Sequence, residues 1–400
     1  MSAIRQTTAQ LADGRDIVYF DDAGTQPRER RLDRRALDER PATPTMRLDP
    51  LSAEWVTIAT ARQSRVHLPS ADADPLAPQS PTNPSEIPDD YDVAVFENRS
   101  PSFGPASADD LQEEAASDAE RGAAASDAEP AAAVSPVAIG AARPAVGRCE
   151  VVAFSPQHDG SFGTQPTLRA RTIVEAWAER TRALSAVPGV QQVFPFENRG
   201  IEIGVTLPHP HGQIYAYPYL PQRIRRIAQS VEDYGPGLFA DILDSERGGP
   251  RVLLEGEHFT AFVPFAARWP VEVQLMAHRQ VPDLAATTDE ERAELATMTL
   301  RLARGLDAIY DAPLPYIAGW IQAPVASHRD EVRLTWHVTS PRRAADKLKF
   351  LAGSEAAMGA WVGDIAPEDG AARLRDAIAK ADASNPVEPL GGIRTEATDA

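Results

Sequence analysis

The spacing of apolar residues predicts strands that alternate with helices in the first half of the chain. An apolar stripe at helical spacing over 167–186 carries Ile173 and Trp177 and predicts an amphipathic helix. Shorter apolar runs on either side of it have the length of strands. These predicted strands are 54–59, 91–96, 150–154 and 190–194.

The second half repeats this order. A helix is predicted from Thr288, because Glu291 stands at capping-box spacing and Leu295 begins an apolar stripe. A last amphipathic segment covers 367–382. The predicted strands of this half are 259–265, 271–276, 316–321 and 332–338. A recurring order of strand, helix and two strands predicts a duplicated fold.

Two segments lack this pattern. Residues 1–45 are rich in Arg, Asp and Gln, and we expect a mobile or peripherally packed N-terminal arm. Residues 101–146 are Ala-rich and broken by Pro, Gly and Ser, which predicts a disordered low-complexity insertion on the surface. The rest divides into an N-terminal domain at 46–246, which contains the insertion, and a C-terminal domain at 247–400.

Charge and composition narrow the class of protein. With 40 Lys and Arg against 58 Asp and Glu, the net charge is −18, which opposes binding to nucleic acid or to anionic lipid. Cys149 is the only cysteine, so the chain can form neither an internal disulfide nor a two-thiolate zinc site. No apolar run reaches the roughly 20 residues of a membrane span. We expect a soluble, cytoplasmic protein.

The segment 207–214 is the strongest candidate for chemistry. On an extended chain His209, His211 and Gln213 share one face, and Pro208 and Pro210 stiffen the backbone. A neutral imidazole is a competent nucleophile toward phosphorus. Metal binding by His-x-His is the rival interpretation. The chain has no GxSxG elbow, no GxxxxGK[ST] loop and no GxGxxG fingerprint.

His209-Pro210-His211-Gly212-Gln213, preceded by Phe196-Glu197-Asn198-Arg199-Gly200, resembles the active-site signature of the galactose-1-phosphate uridylyltransferases, a family of the histidine-triad superfamily. Three further blocks agree: 47–55, 96–98 and 349–355. The resemblance runs from about residue 46 to 375. It implies an α+β fold of two histidine-triad-like domains, each an antiparallel-rich sheet with packed helices, that arose by internal duplication.

The resemblance also implies a mechanism. His211 would attack the α-phosphorus of UDP-glucose, release glucose 1-phosphate and hold UMP as a uridylyl-histidine until galactose 1-phosphate takes it. His209 belongs to the same catalytic row. Gln213 would donate a hydrogen bond to a phosphoryl oxygen. The chemistry requires no cofactor. A homodimer is implied, with an Arg of the neighbouring subunit completing the site.

Substrate contacts are implied for both halves of the chain. Arginines would compensate phosphate charge, asparagines would contact the nucleotide, and the block near residue 350 would contact the hexose. The implied binding residues are Arg62, Arg65, Asn98, Asn198, Gly204, Val205, Thr206, Lys349, Phe350, Ser354 and Glu355.

Departures from the family pattern concern metals and sugar contacts. Where many relatives have a Cys-x-x-Cys pair on zinc, this chain has Asp74 and Ala77. Asp74 can donate an oxygen beside His158 and His209, so structural zinc and a hydrogen-bonded cluster both remain open. Some relatives have a second metal site with four donor residues. Only one of the four matching positions in this chain carries a donor, which excludes the site; these positions are Ile227, Ile321, Thr335 and His337. Trp361 replaces a sugar-contacting Gln.

Two other functions remain open. One is a related nucleotidyltransferase or phosphorylase acting on ADP-sugars or dinucleoside polyphosphates, because the motif acts on the phosphate and does not distinguish the base. The other is a non-catalytic nucleotide-binding module.

Overall fold

The computed structural model describes residues 3–64, 68–105, 139–310, 312–388 and 390. Within these ranges it has five α-helices: α1 (Thr167–Ser185), α2 (Gln222–Tyr234), α3 (Leu238–Glu246), α4 (Asp289–Ala308) and α5 (Pro367–Ser384). Its strands are β1 (Arg5–Gln10), β2 (Asp16–Asp21), β3 (Thr45–Asp49), β4 (Glu54–Ile58), β5 (Val93–Glu97), β6 (Ala142–Pro144), β7 (Arg148–Ala153), β8 (Gln192–Arg199), β9 (His211–Tyr217), β10 (Val252–Glu255), β11 (Phe259–Phe262), β12 (Val271–Ala277), β13 (Tyr316–Ile321), β14 (Thr335–Ser340), β15 (Arg342–Ala344) and β16 (Lys347–Leu348). None of the helices in these ranges combines the length and the apolar character that a membrane crossing needs.

Eleven strands form one sheet in the order β1-β2-β5-β7-β9-β8-β13-β14-β12-β11-β10. Neighbouring strands in it pair antiparallel. A small sheet of β4, β3 and β6 and a hairpin of β15 and β16 lie outside it. The long sheet therefore runs without interruption through both halves of the chain.

The two halves have the same topology. The sheet order β5-β7-β9-β8 of the first half corresponds to β11-β12-β14-β13 of the second, and α1 and α4 occupy equivalent positions in chain order. The halves meet where β8 pairs with β13, with Asn198 opposite Ile317. The predicted α+β fold class, with two similar antiparallel-rich halves and packed helices, is confirmed.

One face of the sheet is covered by helices. Trp177 of α1 lies in contact with Phe154, Phe162 and Trp320, with ring centroids 5.9 Å apart in each pair. These rings belong to a single core cluster that spans both halves. Burying such side chains is the main stabilising contribution to the fold, at roughly 25 cal/mol per Å² of apolar surface. The opposite face is only partly covered, and we call it the open face.

The predicted helix start at Thr288 is confirmed. The Thr288 hydroxyl accepts a hydrogen bond from the backbone N–H of Glu291, and the Glu291 carboxylate accepts one from the backbone N–H of Thr288. This reciprocal pair satisfies two backbone donors that the first turn of a helix leaves unpaired.

The expectation of a mobile arm at 1–45 is wrong for the residues of β1 and β2. These strands form one edge of the sheet, and Tyr19 and Phe20 are fully buried on opposite faces. Ile17 and Val18 are buried in the same way. A strand buried on both faces shows no alternation of polar and apolar residues, so its sequence lacks the signal used to predict strands.

The predicted insertion at 101–146 is too wide at both ends. Phe103, Ala145 and Val146 are buried, and β6 pairs with β3. Residues 106–138, the central part of the predicted disordered segment, lie outside the described residues. Short packed stretches at the margins of a low-complexity segment contain too few large residues to stand out in composition.

Helices α2 and α3 pack on the C-terminal half. Val231 and Leu243 lie in one apolar cluster with Phe262 and Met276 of β11 and β12. By these contacts α2 and α3 go with the second half, whereas the predicted boundary at 246 assigns them to the first. Contacts between distant segments decide this assignment, and the local sequence does not encode them.

Phe20 provides a test of the packing of β2. We expect Phe20→Ala to lower the free energy of unfolding by about 3–5 kcal/mol, because it leaves a cavity in the core. Leu32→Ala is the matched control, since Leu32 lies in the same predicted arm but is 72% exposed and should change stability by less than about 0.5 kcal/mol. Urea denaturation measures both; equal stabilities would contradict the packing of β2.

Candidate active site

The motif residues lie where β9 begins, on the open face of the sheet. His211 and Gln213 are partly exposed there, while Gly212 points to the helix-covered face. A Cβ on Gly212 would lie 2.9 Å from the Phe154 ring and 3.0 Å from the Phe196 carbonyl oxygen, so only glycine fits. His209 precedes the strand and is buried, whereas His211 and Gln213 are partly exposed.

A backbone hydrogen bond orients the His211 ring. Its Nδ1 lies 2.7 Å from the carbonyl oxygen of His209. Because a carbonyl oxygen can only accept, Nδ1 carries the proton, and in the neutral ring Nε2 then holds the lone pair. The geometry therefore selects the tautomer in which Nε2 can attack an electrophile.

His209 is held by a buried carboxylate. Its Nδ1 donates to Asp74 Oδ2 at 2.6 Å, and Nδ1 of His158 donates to the same oxygen at 2.8 Å. The second ring nitrogen of His209 lies 2.7 Å from the Ser155 carbonyl oxygen and 3.1 Å from the Tyr91 hydroxyl. Burial tends to raise the pKa of Asp74, but the hydrogen bond and charge of His209 outweigh it and lower the pKa to about 2.

The separations within this cluster are those of hydrogen bonds. The ligand atoms of Asp74, His158 and His209 lie close enough together to form a candidate metal site. Two donors on a tetrahedral zinc are about 3.3 Å apart, given bonds of roughly 2.0–2.1 Å. The observed separations of 2.6 and 2.8 Å are those of hydrogen bonds. Ala77, at the position of the second family cysteine, has no donor side chain, and structural zinc stays a prediction of the resemblance.

Asn198 lies beside His211. Phe196 pairs with Gln213, and extending this register by two residues places Asn198 opposite His211, about 5 Å away on the neighbouring strand. Its side chain shares the open face with Phe196. The register therefore places Asn198 near His211 and Gln213 on the open face, and the roles of the three residues stay predictions.

Asn98 and Arg62 lie further along the open face. Asn98 donates its backbone N–H to Cys149, which pairs with Tyr215, four residues beyond His211 on β9. The Arg62 guanidinium reaches the Ser100 carbonyl oxygen at 3.4 Å, and the Ser100 N–H donates to the Asn98 side chain at 2.9 Å. Asn98 and Arg62 thus converge roughly 16 Å from His211, by strand spacing and rise.

The loop before the motif is tied to the segment that carries Arg62. Gly204 adopts a left-handed conformation, with φ of 84°, at the end of a short turn. The carbonyl oxygen of Thr206 accepts a hydrogen bond from the backbone N–H of Leu68 at 2.7 Å. Val205 lies between Gly204 and Thr206 in sequence. Arg65 lies outside the described residues.

The predicted hexose block is not beside His211 within one chain. Lys349 donates to the Arg268 carbonyl oxygen at 2.9 Å and lies 3.5 Å from Glu355. Glu355 lines a cavity over β12 and β14, across the sheet from β9. Phe350 is 77% exposed, and Ser354 donates to a nearby backbone oxygen. The roles of these residues stay predictions.

Sequence reasoning missed Tyr91 and Glu197. The Tyr91 hydroxyl contacts the Leu76 and Ser155 carbonyl oxygens beside His209, but nothing in the local pattern links it to the motif. Glu197 is buried and accepts a hydrogen bond from the Tyr316 hydroxyl at 2.9 Å. Burial, outweighing the opposing charge of Arg199, raises the pKa of Glu197 to about 7.

The fold and the site define the class. A duplicated antiparallel sheet presents an oriented imidazole, followed by an amide at the next position on the same face, which is an arrangement suited to a transferase that works through a histidine nucleophile.

Comparisons with known proteins agree with this class and narrow it. Residues 28–221 match the family model "Galactose-1-phosphate uridyl transferase, N-terminal domain", and residues 227–385 match its C-terminal counterpart. The chain is 41% identical over 329 residues to galactose-1-phosphate uridylyltransferase of Streptomyces lividans, covering 80% of this chain and 81% of that protein. It is 34% identical over 337 residues to the Thermotoga maritima protein of the same name, covering 83% and 98%.

A solved structure of a uridylyltransferase superposes with a TM-score of 0.69 at 29% identity, covering 84% of this chain and 99% of that one. The chain belongs to the galactose-1-phosphate uridylyltransferase family.

Glu197 makes stability depend on pH. A carboxyl whose pKa rises from 4.5 to about 7 on folding stabilises the fold below pH 4.5, and this stability is lost as pH increases to 7. Glu197→Gln keeps an acceptor for Tyr316. We expect its free energy of unfolding to exceed that of wild type at pH 8 by up to about 3 kcal/mol and to match it near pH 4.5.

Urea denaturation at the two pH values measures this difference. Glu97→Gln is the matched control from the similar Phe-Glu-Asn-Arg run. Its carboxylate accepts hydrogen bonds from Arg40 and Arg148, so its loss should destabilise the fold at pH 8. A Glu197→Gln protein less stable than wild type at pH 8 would contradict the analysis.

Proposed function

We propose that this chain transfers UMP between hexose 1-phosphates by a ping-pong mechanism. The lone pair of His211 Nε2 forms a P–N bond to the α-phosphorus of UDP-glucose as the bond from phosphorus to the glucose 1-phosphate oxygen breaks. A phosphate oxygen of galactose 1-phosphate then forms the new P–O bond as the P–N bond breaks, which gives UDP-galactose. The observation that carries the proposal is the hydrogen bond between His211 Nδ1 and the His209 carbonyl oxygen.

That hydrogen bond also stabilises the intermediate. When Nε2 bonds to phosphorus, the ring gains positive charge, and Nδ1–H points at the partial negative charge of a carbonyl. The carbonyl belongs to His209, whose ring is held by Asp74 at 2.6 Å and by Ser155 at 2.7 Å. The orientation is therefore set before substrate binds, and no reorganisation is required during the reaction.

Gln213 favours transfer over hydrolysis. It lies two residues beyond His211 on the same face, about 7 Å along the strand, within reach of the phosphoryl group. An amide can donate a hydrogen bond to a phosphoryl oxygen, but it cannot activate water as an imidazole can. Asn198, opposite His211, supplies a second amide at the same place.

The nucleotide extends from His211 toward Asn98 and Arg62 in this proposal. An arginine at that end compensates phosphate charge in a chain of net charge −18. We also propose a homodimer that works in the cytoplasm without a metal for the chemistry. Cys149 is buried and its pKa is raised to about 12, first of all by burial, so the thiol is unreactive.

His211→Gly tests the proposal. We expect the variant to lose uridylyl transfer by at least about 10⁴-fold, since it removes the nucleophile itself, and to keep a cooperative unfolding transition. Incubation of wild type with radiolabelled UDP-glucose should give an acid-labile, base-stable label on His211.

His328→Gly is the control variant, because His328 has φ of 52° in a loop, where glycine is tolerated. It should transfer at the wild-type rate. Full exchange by His211→Gly would defeat the proposal.

A panel of UDP- and ADP-sugars and dinucleoside polyphosphates separates the related transferases, and binding without labelling would indicate a non-catalytic module.

Asp74→Ala tests the positioning of His209. We expect kcat to fall roughly 100-fold with little change in KM, because the imidazoles of His158 and His209 lose their shared acceptor and His211 is less well oriented. Asp72→Ala, an exposed carboxylate in the same turn, is the control and should leave kcat unchanged. Steady-state kinetics measure both; a wild-type kcat for Asp74→Ala would refute the positioning role.

A further inference from the structure

The C-terminal half contains a counterpart of the catalytic motif. In the first half Ala153 pairs with His211 and Val151 with Gln213. In the second half Met276 pairs with Thr335, and the next pair on the same face is Gln274 with His337. His211 and Thr335 are the first residues of equivalent strands, β9 and β14. The duplication therefore places Thr335 at the nucleophile position and His337 at the position of Gln213.

A large cavity lies over this second motif. It has a volume of about 750 Å³ and is lined by both Thr335 and His337. Strand spacing and rise place Thr335 on the order of 20 Å from His211, three strands across and four residues along the sheet. The cavity is thus a second concave site on the same open face.

Three arginines line the cavity. Arg223 and Arg226 of α2 and Arg268 of the β11–β12 loop all line it. Within the described ranges none of the three guanidinium groups forms an ion pair, although the chain is strongly acidic. All three residues are exposed, so their guanidinium groups are accessible to a ligand from solvent. Partial desolvation and then the charge of Arg268 lower the pKa of Arg223, against the opposing charge of Glu272.

The carboxylates of the cavity already have partners. Glu272 lies 2.8 Å from His337 Nε2 and accepts hydrogen bonds from two backbone N–H groups. Glu355 lies 3.5 Å from Lys349 Nζ. Unpaired arginines are therefore in excess, and arginine is the side chain best suited to bind phosphate oxygens.

An aromatic compartment of about 370 Å³ adjoins the cationic cavity and shares Arg223 and Trp361 with it. Its other lining residues include Phe194, Tyr217 and Trp269. Aromatic faces of this kind bind planar rings by stacking and apolar contact. The two compartments together match a ligand with a planar ring at one end and a phosphate at the other.

We propose that the C-terminal half holds a second, non-catalytic nucleotide site, with the phosphate among Arg223, Arg226 and Arg268 and the base in the aromatic compartment. No transfer occurs there, because a threonine hydroxyl stands in place of the imidazole. The Thr335 hydroxyl donates its proton to the backbone oxygen of Arg333 at 3.2 Å. The site goes beyond uridylyl transfer and does not depend on His211.

Binding of UMP to the full chain tests the proposal. We expect calorimetry to find two UMP molecules per chain, and photolabelling with 5-azido-UMP to mark peptides from α2 or around Trp361 as well as peptides around His211. Arg223→Gln/Arg268→Gln should weaken the second site at least about tenfold, because two charge-assisted hydrogen bonds are lost. Arg225→Gln, on the same helix but outside the cavity lining, is the matched control and should bind two UMP molecules per chain.

Inorganic phosphate in the millimolar range should displace the second label from wild type, which identifies the phosphate as the anchor; uridine should not displace it. One UMP per chain in wild type, or an undiminished second site in the double variant, would overturn the proposal. Binding of phosphate without UMP would overturn its nucleotide part. The second label should persist in His211→Gly, so failure of the transfer mechanism and failure of this site are distinguishable.

Discussion

The hydrogen bonds around the Asp74 carboxylate are the constraint on which the candidate active site depends. One oxygen accepts from two imidazoles, and the His209 carbonyl accepts from His211. A buried carboxylate is stable only when its oxygens are well satisfied, so the arrangement is rigid. The buried Asp74 carboxylate, about 99% shielded from solvent, thus holds the ring of the residue whose backbone carbonyl orients His211.

The sheet converts this local order into a binding surface. Its helix-covered face is closed by a core of aromatic and aliphatic side chains, so polar chemistry is confined to the open face. Because β8 and β13 pair across the midline, both halves present their motif strands on that one face. The same duplication thus generates two concave sites that differ in the residue at the nucleophile position.

Electrostatics distinguish these two sites. In the proposed mechanism the imidazole of His211 and amide side chains surround the reacting phosphorus in the N-terminal half, and Arg62 supplies positive charge at the far end of the nucleotide. In the C-terminal half Arg223 and Arg268 dominate the cavity. In a chain of net charge −18, an anion is attracted only where such local positive charge exceeds the general field. Both sites therefore owe their selectivity to a few residues and not to the overall composition.

The sequence by itself determined the fold class, the helix start at Thr288 and the position of the histidine motif, because periodicity, capping and a five-residue motif are local signals. It did not reveal that β2 is buried on both faces, since such a strand shows no alternation. It placed His209 in one row with His211 and Gln213, but it did not reveal the burial of His209 against Asp74, 135 positions away. Only the tertiary structure decided the His211 tautomer and the cavity around Thr335. Both depend on contacts between segments far apart in the chain, and no local pattern encodes them.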